Sequence, residues 1–178
     1  MVEAAAHVPG ERLRVEVAGL QSAAVPSARP GAEFGDDELS GEEVLRGIIE
    51  GRIPAPPIAG TLSFRLVEAG PGTAVFEGET GEHLYNPLGS VHGGYLATLL
   101  DSALGSAVMS RLPAGTGYTT TQLNIHLVRP VFADTGLLRC EGTALHVGRT
   151  VATAEARVIG ENGKLYAHGT TTCAVFPL

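Results

Sequence analysis

Residues 86–101 read NPLGSVHGGYLATLLD. A turn leads into Val91-His92-Gly93-Gly94, and an almost wholly apolar segment then closes on one acid, Asp101. Between Tyr95 and Met109 the polar residues are Thr98, Asp101, Ser102 and Ser106, and Asp101 is the single charge. A helix that is apolar on most of its sides is a buried helix. The stretch therefore predicts a long central helix from Ser90 to Ser110. Ser90 is the expected N-cap, leaving the amides of Val91, His92 and Gly93 free at the helix start. Free amides and a positive dipole end favour a negatively charged or polarised oxygen. Gly93 and Gly94 let a ligand approach the backbone, although paired glycines serve tight packing equally well.

Charged residues are almost never fully buried without a partner. Two readings of Asp101 stand side by side: a residue on a thin solvated stripe or a cap, and a catalytic carboxylate. His92 and Asp101 are nine residues apart, which on a helix is about 13–14 Å and about half a turn out of phase. One protomer does not easily bring its helix start and its own Asp101 to the same atom. If both act on one bond, the site is shared by two protomers, and a two-fold dimer becomes part of the functional expectation.

Working outward, strand patterns flank this helix on both sides. TLSFRLVEAG (61–70) and TAVFEGET (73–80) surround a Pro-Gly turn and predict a hairpin. After the helix come TTTQLNIHLVRPV (119–131), TGLLRCEGTALHV (135–147), TVATAEARVIG (150–160) and KLYAHGTTTCAVF (164–176), joined by short turns. Residues 37–52 (DELSGEEVLRGIIEGR) predict a short helix with acids in its first turn, and PAPP then breaks the chain. Residues 1–36 read as an N-terminal extension, with LRVEVAGL (13–20) as its one strand-like segment. The order helix, two strands, long helix, four strands predicts an α+β domain over 37–178, an antiparallel sheet wrapped around one helix.

The 178 residues fit one domain with a spare terminus, and the absence of Trp leaves the core to Val, Leu, Ile and Ala. The net charge of −7 argues against nucleic acid or an anionic membrane as the main partner. The charge is uneven: residues 1–100 hold 14 acids and 6 bases, residues 101–178 hold 5 acids and 6 bases. A small polyanion thus has a basic corner available in the second half. Cys140 and Cys173 belong to no CxxC, which predicts two reduced cysteines in strands of a cytoplasmic protein. The N-terminus lacks a signal-peptide pattern, and no apolar run reaches 18 residues. The six histidines have no metal-ligand spacing, so no metal is expected. No GxSxG elbow, P-loop or GxGxxG fingerprint is present.

The run NPLGSVHGGYLATLLD resembles the signature of hot-dog-fold acyl-CoA thioesterases, in the branch of the phenylacetate-degradation (PaaI-like) thioesterase. The resemblance covers roughly residues 40–178 and includes PPIAGTLSF, TTTQLNIHLVRPV and HVGRTVATAEA. It implies the hot-dog fold and a homodimer that often pairs again into a tetramer. By the resemblance, Asp101 is the acid that attacks the thioester carbonyl or activates a water. Gly93 donates its amide to the carbonyl oxygen from the facing chain. Asn86 and His92 match residues that orient the thioester or water. A strand hydroxyl, best matched by Thr120, helps to hold the acid. The shorter reach of Asp relative to Glu favours water activation. Gly94 joins the substrate-binding set, and Arg149, Thr150 and Arg129 are candidates for the coenzyme A phosphates, with solvated surface charge as the plain alternative for the arginines. Coenzyme A is part of the substrate, and no separate cofactor is implied. Tyr85 and Tyr95 either line an acyl pocket or simply pack. The expected activity is hydrolysis of a small aryl- or medium-chain acyl-CoA. A non-catalytic acyl-CoA binding module and a hot-dog hydratase or dehydratase are the alternatives.

Overall fold

The computed structural model describes residues 38–178. The extension over 1–36 and its candidate strand at 13–20 lie outside the described residues. Two short helices come first, α1 (Gly41–Ile49) and α2 (Pro57–Thr61), followed by strands β1 (Phe64–Gly70) and β2 (Thr73–Gly78). The long helix α3 spans Gly93–Met109, and β3 (Thr116–Leu127), β4 (Leu138–Val147), β5 (Val151–Gly160) and β6 (Leu165–Pro177) complete the chain. The strands form one antiparallel sheet in the order β1-β2-β4-β5-β6-β3. The sheet curls around α3, which is the arrangement the strand order predicts.

The core explains the curl. Leu99, Leu100, Ala103, Leu104, Ala107 and Val108 of α3 are fully buried. On β5, Ala152, Ala154, Ala156 and Val158 face inward while Glu155 and Arg157 face out, the period-two alternation of a strand with one covered face. Such small inward side chains let the helix lie close to the sheet. The approach is closest at Gly142 of β4, where an added Cβ would overlap the carbonyl oxygen of Ala103. Both cysteines are unpaired and buried, Cys140 in β4 and Cys173 in β6.

The boundaries shift from those the sequence pattern predicts. The first helix is narrower than 37–52 because Ser40 caps it: its hydroxyl and backbone N–H meet Glu43 in a reciprocal box. PAPP does not simply break the chain. Pro57, with its φ preset for a first helical turn, opens α2, so Thr61 is helical and β1 begins at Phe64 rather than at 61. The third strand starts at Thr116 and ends at Leu127, short of Val131, because Val128 and Arg129 both turn their N–H groups to the Tyr166 carbonyl and Pro130 has none to give. Ala133–Thr135 forms a single 3-10 turn, which delays β4 to Leu138. Among the described residues no helix is long and apolar enough to cross a membrane.

Candidate active site

The loop before α3 is tied together by its own groups. Asn86 N–H donates to the Ser90 carbonyl at 2.7 Å, Asn86 Oδ1 accepts from the Leu88 N–H at 2.8 Å, and Asn86 Nδ2 donates to Ser90 Oγ at 3.0 Å. Ser90 is therefore consumed in the turn and does not cap the helix. The N-cap is His92, whose Nδ1 accepts from the Gly94 N–H at 2.8 Å. A neutral imidazole accepting at Nδ1 carries its proton on Nε2, which stays available as a donor. Two amides expected to be free are not: Val91 N–H donates to the Val131 carbonyl and His92 N–H to the Leu84 carbonyl. Both bonds follow from the extended backbone here, where Val91 bridges to Tyr85. The Gly93 N–H has no hydrogen-bond partner among the described residues. A Cβ on Gly93 would sit 2.5 Å from Leu127 Cδ1, so this glycine is seated against the end of β3.

Asp101 lies two turns further on and is half-buried. Thr120 Oγ1 donates to its Oδ1 at 2.9 Å. Among the three threonines at 119–121, Thr120 is selected by a β-bulge: the β3–β6 register shifts between Thr120 and Gln122. The unpaired Thr121 turns its hydroxyl to the Thr172 carbonyl at 3.0 Å. The bulge lets Thr120 face the helix while the rest of the strand stays in register, a common use of bulges beside functional groups.

The candidate residues separate into two groups within one chain. Gly93, Gly94, His92 and Asn86 share the helix start with the end of β3, and Arg129 lies just beyond that end, its Nε donating to the Leu165 carbonyl at 3.2 Å. Asp101 and Thr120 lie at the other level. Arg149 and Thr150 form the exposed turn between β4 and β5 on that side, where the Thr150 carbonyl accepts from Val175 N–H. Eight residues of helix, about 12 Å of rise, divide Gly93 from Asp101. Tyr85 and Tyr95 both hold backbone: the Tyr85 hydroxyl accepts from Ala133 N–H and the Tyr95 hydroxyl donates to the Glu79 carbonyl, each at 2.9 Å. Both also border a hollow of about 350 Å3 beside His92 and His83.

Sequence reasoning missed a second, larger cavity. It holds about 480 Å3 and lies between α3 and a roof made by α1 and α2. Val44, Ile48, Ile58, Phe64, Phe76 and Met109 give it an apolar lining, in the size range of small-molecule sites. Ser102, Ser106 and Tyr118 border it on the side nearest Asp101. The two serines, four residues apart in a mostly apolar helix, are a visible signal of a polar strip. Burial holds the Tyr118 hydroxyl far above its usual range, with smaller contributions from Cys173 and Asp101. No group of three His, Cys, Asp or Glu side chains among the described residues is placed to hold a metal ion.

The layout, one buried helix bearing a single acid inside a curled antiparallel sheet, is that of hot-dog proteins. Residues 88–167 match the model of the thioesterase superfamily. A phenylacetic acid degradation-related protein of Ralstonia eutropha, described as a candidate thioesterase, is 30% identical, with a TM-score of 0.67 over 74% of this chain and 98% of that one. The PaaI protein from the phenylacetic acid degradation operon of E. coli shares the fold at 21% identity, with a TM-score of 0.67 over 77% of this chain and 96% of that one. A Halobacterium salinarum protein described as a candidate esterase is 41% identical over 73 residues, 40% of this chain and 46% of that protein. The chain thus spans about half the length of that curated relative. It belongs to the thioesterase superfamily.

Proposed function

We propose that the protein is an acyl-CoA thioesterase that hydrolyses a small aryl- or medium-chain acyl-CoA at a site shared by two protomers. The observation that carries this reading is the Asp101 carboxylate, the only charge on α3, held by Thr120 at 2.9 Å. The oxyanion donor is the Gly93 N–H of the facing protomer, supported by its lack of any partner among the described residues of its own chain. An amide aimed at developing charge is typically worth a few kcal/mol of barrier. Asp101 takes a proton from water, the hydroxide forms a C–O bond at the thioester carbon, and the C–S bond breaks. Coenzyme A leaves as the thiolate and is protonated. His92 Nε2–H is available beside the carbonyl to orient the water or thioester. Asn86 retains one Nδ2–H for the same purpose, beyond the bond it gives to Ser90.

Two features support a two-fold pairing. The separation of about 12 Å within one chain keeps Gly93 and Asp101 of the same protomer from one carbonyl. The outer edge of β3 carries no strand among the described residues, and Leu127, Val128 and Phe132 are exposed beside it. In such a pair Arg129 comes from the chain that supplies Gly93, and Arg149 and Thr150 from the chain that supplies Asp101. They would contact the coenzyme A phosphates from two sides, and Gly94 would line the approach. The pairing of two such dimers into a tetramer is part of the same proposal. Free-thiol release from a panel of aryl- and alkyl-CoA thioesters tests the reading. Turnover by the wild type that collapses in Asp101→Asn, with fold and dimer intact, is the expected result. Saturable binding with no thiol released from any thioester would replace it with the binding-module reading.

A further inference from the structure

The cavity under α1 and α2 stops short of the carboxylate. Its wall includes Ser102, which follows Asp101 on α3, and Tyr118, which precedes Thr120 by two on β3, but neither Asp101 nor Thr120. Residues two apart on a strand face the same way, so Tyr118 and Thr120 both point toward α3. Thr120 holds the carboxylate at 2.9 Å, so Tyr118, two residues earlier on the same face, lies next to it along the helix. Its far end rests on Gly105, where a Cβ would come within 2.6 Å of the hydroxyl oxygen. Glycine in the middle of a helix is unfavourable relative to alanine. Here it gives the ring a seat that any side chain at 105 would close.

We propose that Tyr118 determines which acyl groups the site accepts, its ring forming the wall between the Asp101 carboxylate and the roofed cavity. The proposal rests on the thioesterase reading above and names the substrate class for that site. An acyl group whose carbonyl lies beside Asp101 reaches the apolar cavity only by passing the edge of the ring. The preferred groups are slim at the carbons next to the carbonyl, as straight alkyl chains are. Groups branched at that carbon meet the phenol before they reach the cavity. Tyr118 is then a specificity residue, distinct from the groups that carry out the chemistry.

The test compares thiol release from hexanoyl-CoA and 2-ethylhexanoyl-CoA by wild type and by Tyr118→Phe, Tyr118→Leu and Tyr118→Ala. The readout is the ratio of kcat/KM for the branched over the straight ester, which cancels a general loss of activity. The ratio should rise by about tenfold or more in Tyr118→Ala, in line with what pocket shape can discriminate. It should rise less in Tyr118→Leu and stay at the wild-type value in Tyr118→Phe. If Tyr118→Ala fails to fold, as judged by its melting transition, Tyr118→Leu decides the matter. A constant ratio across the folded variants overturns the proposal, as does a shift in Tyr118→Phe as large as in Tyr118→Ala. A wild type that releases no thiol from any ester defeats the thioesterase reading itself, an outcome visible before any variant is made.

Discussion

The two ends of the Gly93–Asp101 segment are built on opposite principles. Around Asp101 the helix is locked: its neighbours Leu99, Leu100, Ala103 and Leu104 are fully buried, and β4 approaches Ala103 so closely that only a glycine fits at 142. At the helix start, His92 and Gly94 are exposed and the Gly93 amide has no partner among the described residues. The rigid end holds an acid by one hydrogen bond, while in the proposed site the open end would offer its donor to a second protomer. A shared site gains from this division. A group that must not move belongs in a core, and a group that must meet a second chain belongs at a surface.

The largest effect should come from breaking the locked end at its charge. Asp101→Asn keeps the size and the Thr120 contact but removes the base, and kcat for thiol release should fall by about 10²–10⁴ with the melting transition unchanged. The open end should be next. Gly93→Ala keeps the amide but adds a methyl group that pushes on Leu127 and on the approach to the N–H. Activity should fall by about a hundredfold, the scale of a misplacement near 1 Å. Because Leu127 is the tip of a flexible side chain, stability should change little, and denaturant titration checks that.

The same small change behaves differently at the rigid end. Gly142→Ala drives a Cβ into the Ala103 carbonyl oxygen, a backbone atom that cannot step aside. It should cost about 1–3 kcal/mol of folding stability, read as a lower denaturant midpoint. If Gly93→Ala proves the less stable of the two, the division between the ends is wrong. Smaller still is Thr120→Val, which removes the hydroxyl from Asp101 while keeping the shape. It should lower kcat by about tenfold and leave KM nearly unchanged, because it disturbs the position of the acid rather than substrate contacts.

How much of this was legible in the sequence follows the same division. The central helix, its single acid and the strands around it are readable because burial leaves α3 apolar on most of its sides and writes a period of two into β5. The helix start falls two residues later than the capping pattern predicts. Ser90 has the better capping side chain, but the turn from Asn86 consumes it, and that competition depends on hydrogen bonds that no spacing reveals. Thr120 was chosen from three adjacent threonines, and the bulge that turns it inward has no pattern of its own in TTT. The roofed cavity was invisible because its lining comes from α1, α2, β1, β2, α3 and β3 together. Tyr118 carries no motif at all; its place is set by Gly105, thirteen residues earlier.

The smallest effect concerns the roof. Ser40 and Glu43 fix the start of α1, and the Gly41 N–H donates to the Leu112 carbonyl at 3.0 Å, so the cap also anchors the roof to the segment after α3. Hydrogen bonds from the Ser40 hydroxyl and backbone N–H hold the Glu43 carboxyl below its ordinary value of 4.5. The folded state therefore binds that proton more weakly than the unfolded chain. The stabilisation is present above the unfolded pKa and is lost as the pH falls through the lowered folded value. Ser40→Ala should lower the melting temperature slightly at neutral pH, and the gap from wild type should narrow as the pH drops from about 7 to about 3. A gap that stays constant over that range would detach the cap from the Glu43 charge. A gap that narrows while the hexanoyl-CoA profile also changes would show that the roof, though remote from Asp101, helps to shape the cavity beneath it.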